Sequence, residues 1–509
     1  MPEVRLTIDP SFRVADVDPR LFGSFVEHMG RCVYTGIYEP AHPTADGHGF
    51  RADVASLVRE LGVPVLRYPG GNFVSGYRWE DGVGPVEERP RRLDLAWTST
   101  EPNRVGTDEF VAWSRRVGAE PMLAVNLGTR GVQAAADLVE YCNHLSGSYW
   151  SDLRRANGAG TPHGVKLWCL GNELDGPWQI GHKTAHEYAR LAAETARAMR
   201  RVDPSIELVA CGSSGSQMPT FGTWEAAVLG EAYDLVDYVS LHGYYEQLGD
   251  DRAGFLASAV SMDRFIESVV ATCDHVRAVG GHRKRINLSF DEWNVWYMSR
   301  FGDEENAGWR EAPRIIEDTY SVTDAVVVGS LLVSLLRHAD RVRVACLAQL
   351  VNVIAPIRAE PGGPAWRQAT FHPFALTSRH GRGAVLRVEP RGPGYDAGEL
   401  GDVPLVDAVA VLDEESGAVT LFAVNRDQAE PATLHVDARA LDHPVLVAHV
   451  ALSDDDPDAV NSADRPDRVT PRRLDSSTVD GGRVVVRLPA LSWNMVRLTA
   501  DKPGPSNQE

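Results

Sequence analysis

Apolar residues in this chain come in short runs, and the stretches between them carry apolar positions at helical spacing. Eight runs fall in the first 355 residues: Leu21–Glu27, Val63–Pro69, Pro121–Asn126, Val165–Glu173, Ile206–Gly212, Val236–Tyr245, Ile286–Trp293 and Val342–Asn352. Such runs, rich in Val, Leu and Ile, read as strands buried on both faces. Between them, Thr184–Val202 is the clearest helix, with Thr184 as N-cap and Glu187 three residues on, a capping box. Strands alternating with helices predict parallel βαβ units. Eight of them predict a closed (β/α)8 TIM barrel, class α/β. The alternative is an open doubly wound sheet, but no GxGxxG or GxxxxGK[ST] follows a predicted strand.

After about residue 380 the spacing changes. Runs at 384–390, 405–412, 418–425, 432–438, 445–452, 483–489 and 494–500 alternate in the β manner, with turn-rich segments such as 413–417, 454–458 and 480–482 between them. They predict a C-terminal all-β sandwich, jelly-roll-like. Val4–Asp9 also reads as a strand, ahead of the first barrel run. The expected organisation is an N-terminal segment, 1–16, whose strand joins the sandwich; a catalytic barrel, 17–380; the sandwich, 381–500; and a disordered tail, 501–509.

Composition narrows the partners. The 509 residues are 43% hydrophobic, enough for a large core and too many for one ordinary domain. Acidic residues outnumber basic ones 70 to 51, a formal net charge of −19. Such a surface repels phosphate backbones and anionic membranes, which argues against nucleic-acid and membrane partners and leaves neutral ligands. The six cysteines form no CxxC pair, and Cys169, Cys211 and Cys346 sit in buried-strand runs. They are expected as buried thiols in a reducing compartment. The N-terminus lacks the charged and apolar regions of a signal peptide, and no apolar stretch approaches about 18 residues, so a cytoplasmic protein is expected.

In a βα barrel the polar residues that end the strands converge on one rim. Here those ends hold Glu27 and His28, Arg67 to Asn72, Asn126, Asn172 and Glu173, His242 to Tyr245, Asp291 to Asn294, and Gln349 with Asn352. Carboxylates, amides and aromatics together suit an uncharged, polyhydroxylated ligand. Glu173 and Glu292 stand out because their 119-residue separation, about three βα units, puts them on strands four and seven, across the mouth. Glycoside hydrolysis needs two carboxyl groups flanking the scissile bond, about 5–5.5 Å apart for retention and about 6.5–9.5 Å apart for inversion. A lone glutamate at a strand end is more often a solvated or capping carboxylate. Two of them, each close to an asparagine in a Trp-rich segment, weigh against that. Arg67 reads as an ion-pair partner in the barrel interior. His182 and His186 are spaced i,i+4, as in a zincin helix, but HKTAH lacks the glutamate of HExxH. GSSGS (212–216) does not fit a nucleophile elbow. No metal and no cofactor is expected.

The segments LGNELDGPWQIGH (Leu170–His182) and SFDEWNVWY (Ser289–Tyr297) resemble the signature segments of glycoside hydrolase family 51, chiefly α-L-arabinofuranosidases. Segments Gly23–Pro40, Leu66–Pro85, Arg91–Phe110, Val125–Gly131, Val239–Tyr245 and Ala348–Ile357 resemble the family in the same order, across the whole barrel. The resemblance implies a retaining, exo-acting enzyme that releases terminal non-reducing arabinofuranosyl residues from arabinose-containing oligosaccharides by double displacement. It implies Glu173 as general acid/base and Glu292 as nucleophile. Glu27, Asn72, Asn172, Tyr244 and Gln349 match positions that hold the furanose ring, and Trp296 and Trp97 match aromatics on the aglycone side. A homohexamer independent of metals is also implied. Physically, Asn172 could donate to the sugar 2-OH, and Tyr244 could hydrogen-bond Glu292. Two rivals are an endo-acting glucanase or xylanase, marked by an open groove, and a non-catalytic carbohydrate-binding protein, expected to lose one of the two glutamates.

Overall fold

The computed structural model describes residues 1–302 and 308–500; the tail expected at 501–509 lies outside the described residues. Eight parallel strands close into a barrel in chain order: β1 (Gly23–Phe25), β2 (Val65–Tyr68), β3 (Glu120–Ala124), β4 (Leu167–Leu170), β5 (Glu207–Ala210), β6 (Tyr238–Tyr245), β7 (Asn287–Val295) and β8 (Val342–Leu347). One strand falls on each of the eight predicted runs. β2 and β4 are buried at every position, as strands enclosed by helices outside and side chains inside must be.

Helix Ala185–Val202 starts on the expected capping box: Thr184 N donates to Glu187 Oε2 at 2.9 Å, and Glu187 N to Thr184 Oγ1 at 3.4 Å. Its buried residues, Tyr188, Ala189, Ala192, Ala193, Thr195, Ala196 and Met199, follow the period of one helix face. His182 lies before this N-cap, so the expected i,i+4 histidine pair on a helix does not form, and both histidines are exposed. All six cysteines are buried and unpaired. Among the described residues, no helix is long and apolar enough to cross a membrane.

The β-domain is two packed sheets. The larger runs 13–16, 384–386, 406–412, 419–425, 492–500, 444–452, 472–473; the smaller runs 3–7, 432–437, 483–488, 478–480. Both sheets therefore take a strand from the N-terminus. Glu3–Thr7 pairs parallel with Ala432–Asp437, and Val4, Leu6 and Ile8 enter a core with Leu434, Val436, Val484, Val486, Leu421 and Val496. Helix Val322–Arg337 is buried all round, packed between the barrel and the larger sheet. At Gly329 a Cβ would stand 2.2 Å from the Trp493 ring, so the glycine is the seat of that buried indole.

Candidate active site

Every predicted strand end reaches one rim of the barrel. Two local features aim the carboxylates. Glu173 follows Gly171 (φ +91°) and itself takes a left-handed backbone, φ +44°, uncommon for a residue with a side chain. On β7 the register slips by one residue against both neighbours, between Ser240 and His242 on β6 and between Phe290 and Trp293 on the β8 side. Successive strand residues normally face opposite ways. The extra residue lets both Asp291 and Glu292 reach interior partners.

Glu292 Oε1 accepts from Arg67 Nη1 at 2.6 Å, and Oε2 accepts from the Tyr244 hydroxyl at 2.7 Å. Glu173 Oε1 lies 2.8 Å from His242 Nδ1, and Oε2 accepts from Trp178 Nε1 at 2.8 Å. The other His242 nitrogen, Nε2, lies 3.0 Å from Asp291 Oδ1. Arg67 continues through Nη2 to Asn172 Oδ1 at 2.7 Å, and its Nε lies 3.7 Å from Asp291. Asn172 Nδ2 reaches Asn72 Oδ1 at 3.3 Å. Glu27 Oε1 accepts from Phe73 N–H and from Trp97 Nε1, each at 2.9 Å, and Oε2 accepts from Gln349 Nε2 at 3.2 Å.

These contacts set the charges. Burial opposes a charged His242, but Glu292, Asp291 and Glu173 around it outweigh burial and raise its pKa well above the usual imidazole range. A carboxylate oxygen faces each ring nitrogen, an arrangement that favours the charged ring. Burial raises the Asp291 carboxyl, but Arg67 and His242 overcome it and hold it below the usual carboxylate range. Burial, then the Glu292 charge, pushes Glu27 up to about 8 against the donors Phe73 and Trp97. Burial and Glu292 likewise keep the Tyr244 hydroxyl protonated.

A pocket of about 650 Å³ opens over these groups, within the usual range for a small-molecule site. Its wall includes Glu27, Asn72, Trp97, Glu173, Trp178, His242, Tyr244, Glu292, Trp296 and Gln349. Asn172 sits behind the wall, 1% exposed, between Arg67 and Asn72. Tyr244 stands edge-on to Trp296 at 5.1 Å. The sequence reading marked His242 and Asp291 as strand ends without giving them work, and it missed Trp178, whose indole arrives from a loop. The Ala41–Phe50 loop is off this wall; His42 Nε2 ties it to Gly363 O at 2.9 Å.

Glu173, His242 and Glu292 offer ligand atoms within 4.8 Å of one another, the one such group among the described residues. The donor set suits a metal poorly: each His242 nitrogen is already engaged with a carboxylate oxygen, Nδ1 with Glu173 at 2.8 Å and Nε2 with Asp291 at 3.0 Å.

An eight-stranded barrel with paired glutamates beyond β4 and on β7, beside amides and indoles, defines a glycoside hydrolase. Models of the α-L-arabinofuranosidase 1 domain and the α-L-arabinofuranosidase C-terminal domain match residues 57–255 and 291–492; the second begins inside the barrel, at β7. The chain is 61% identical over 507 residues to an intracellular exo-α-(1→5)-L-arabinofuranosidase of Streptomyces lividans, covering 99% of this chain and 76% of that protein. It is 51% identical over 511 residues to an exo-α-(1→6)-L-arabinofuranosidase of Bifidobacterium longum, covering 98% of each. The solved family 51 α-L-arabinofuranosidase AbfB of Bifidobacterium longum superposes with a TM-score of 0.94 at 50% identity, covering 98% of this chain and 99% of that one. The chain belongs to the α-L-arabinofuranosidases of glycoside hydrolase family 51.

Proposed function

We propose that this protein is a retaining exo-α-L-arabinofuranosidase that frees terminal arabinofuranosyl residues from oligosaccharides, with Glu292 as nucleophile and Glu173 as general acid/base. The observation that carries the mechanism is the spacing: an oxygen of Glu173 and one of Glu292 lie within 4.8 Å. That fits direct attack by a carboxylate and is shorter than the about 6.5–9.5 Å typical of inverting pairs. Both carboxylates take two donors, Glu292 from Arg67 and Tyr244 and Glu173 from His242 and Trp178, so the roles follow the family motifs in which the two glutamates stand.

In the first half-reaction Glu292 attacks the anomeric carbon while Glu173 passes its proton to the leaving glycosidic oxygen. In the second, Glu173 removes a proton from water, which displaces Glu292 from the same face the leaving group left. Glu27, Asn72 and Gln349 form a polar floor for one furanose ring. Trp97 and Trp296 border the side where the remainder of the substrate lies, and Asn172 fixes Arg67 and Asn72 from behind. A polar floor sized for one ring fits exo action, the action named for the relatives. The two relatives differ in linkage, (1→5) and (1→6). Cytoplasmic residence and a hexamer belong to the same reading by family resemblance; light scattering should return six chain masses of 55.6 kDa.

The test is a panel of aryl glycosides with the first-formed anomer followed by NMR. Cleavage of the α-L-arabinofuranoside with α product first is expected; β product first would overturn retention. Cleavage of glucan or xylan alone would move the function to the endo class. Azide separates the glutamates. Glu292→Ala should yield the β-arabinosyl azide, because azide takes the nucleophile's place, whereas Glu173→Ala should yield the α-azide.

A further inference from the structure

Both oxygens of Glu173 are occupied, and the two donors are of different kinds. His242 belongs to β6 and is fixed at its far side by Asp291. Trp178 belongs to the loop beyond β4, and 53% of its surface is exposed at the pocket mouth. Its indole N–H donates to Glu173 Oε2 at 2.8 Å, and an indole nitrogen can only donate.

The loop is shaped to hold that ring. A Cβ at Gly176 would stand 2.5 Å from Trp178 Cε2, 2.7 Å from Cζ2 and 2.9 Å from Nε1. The indole thus lies flat on the Gly176 backbone. Gly176 N in turn donates to the Glu173 carbonyl at 2.9 Å, and Gln179 N donates to the Gly176 carbonyl at 3.0 Å. Seat, ring and carboxyl form one closed turn, and the three heavy atoms nearest a Cβ at Gly176 all belong to the indole.

We propose that Trp178 is a positioning residue for the general acid/base, its indole N–H stabilising the Glu173 carboxylate and Gly176 being the seat that keeps it aimed. This rests on Glu173 being the acid/base. A donor on a carboxylate oxygen favours the ionised form. Trp178 therefore steadies the carboxylate that Glu173 becomes when the leaving group departs, and holds it in place for the water step.

The experiment is the pH profile of kcat/KM on an aryl α-L-arabinofuranoside, which reports ionisations of the free enzyme. Wild type, Trp178→Phe, Gly176→Ala and the double variant are compared, with Glu173→Ala as reference. Trp178→Phe keeps the aromatic face and loses only the donor. Its basic limb should move up by about half a unit to one unit. Gly176→Ala keeps the indole but unseats it, and should move the limb the same way. The double variant should add nothing further. A basic limb that stays at the wild-type pH in both single variants overturns the proposal, even if rates fall. If Glu173→Ala retains the wild-type basic limb, the acid/base assignment fails and the proposal falls with it.

Discussion

Glu27 is a site carboxyl whose ionisation depends on folding. Its pKa is about 8 in the folded chain against 4.5 for the ordinary side chain. Between those values the folded protein binds more protons than the unfolded one, so the Glu27 contribution falls as pH rises from about 4.5 to about 8, then levels. Glu27→Gln removes that slope. The variant's unfolding temperature should gain on wild type from pH 5 to pH 8, by an amount on the order of 1–3 kcal/mol at pH 8. Parallel Tm-versus-pH curves would mean that Glu27 is ionised throughout. The motifs made Glu27, Glu173 and Glu292 legible as site residues. They said nothing of which carboxyl is neutral, because that depends on burial and on the charge of Glu292, a residue 265 positions along the chain.

At the scale of elements, the alternation of runs predicted the eight strands because each buried strand must be apolar along its length. The slip in β7 was not legible. Asp291-Glu292 reads as two residues facing opposite ways until the register against β6 and β8 is known. Helix Val322–Arg337 shows the same limit. Along the chain Gly329 is one small residue in an apolar run, yet it is where Trp493 of the β-domain seats. A glycine inside an exposed helix costs about 1 kcal/mol relative to alanine, so Gly329→Ala would stabilise a free helix. Here the added methyl meets a fully buried ring, and overpacking of roughly 1–3 kcal/mol wins. Chemical denaturation should show net destabilisation of Gly329→Ala; a more stable variant would mean that the Trp493 ring shifts freely.

For the molecule as a whole, the first nine residues close the β-domain rather than the barrel. Val4, Leu6 and Ile8 are each under 5% exposed in the sandwich core. Burying three such side chains contributes at most about 4–9 kcal/mol, with extended-chain bookkeeping as the upper bound. Deleting residues 1–9 should lower the denaturant midpoint markedly while leaving kcat/KM at low temperature near wild type, since the pocket draws its wall from the barrel. Loss of activity in the still-folded variant would show that the β-domain shapes the pocket.

The sequence by itself determined the barrel, the sandwich and the paired glutamates, because periodicity and the family's motifs are local and each needs only a short stretch of chain. It also determined that a strand precedes the barrel, but not which sheet receives it. Tertiary structure alone decided the rest. It brought Asp291 onto His242 through a slip in β7, put Asn172 behind the pocket wall, and laid Trp178 on Gly176 against the acid. Ionisation and hydrogen bonding depend on distances of a few ångströms between residues far apart in sequence, and those distances exist only once the barrel has closed.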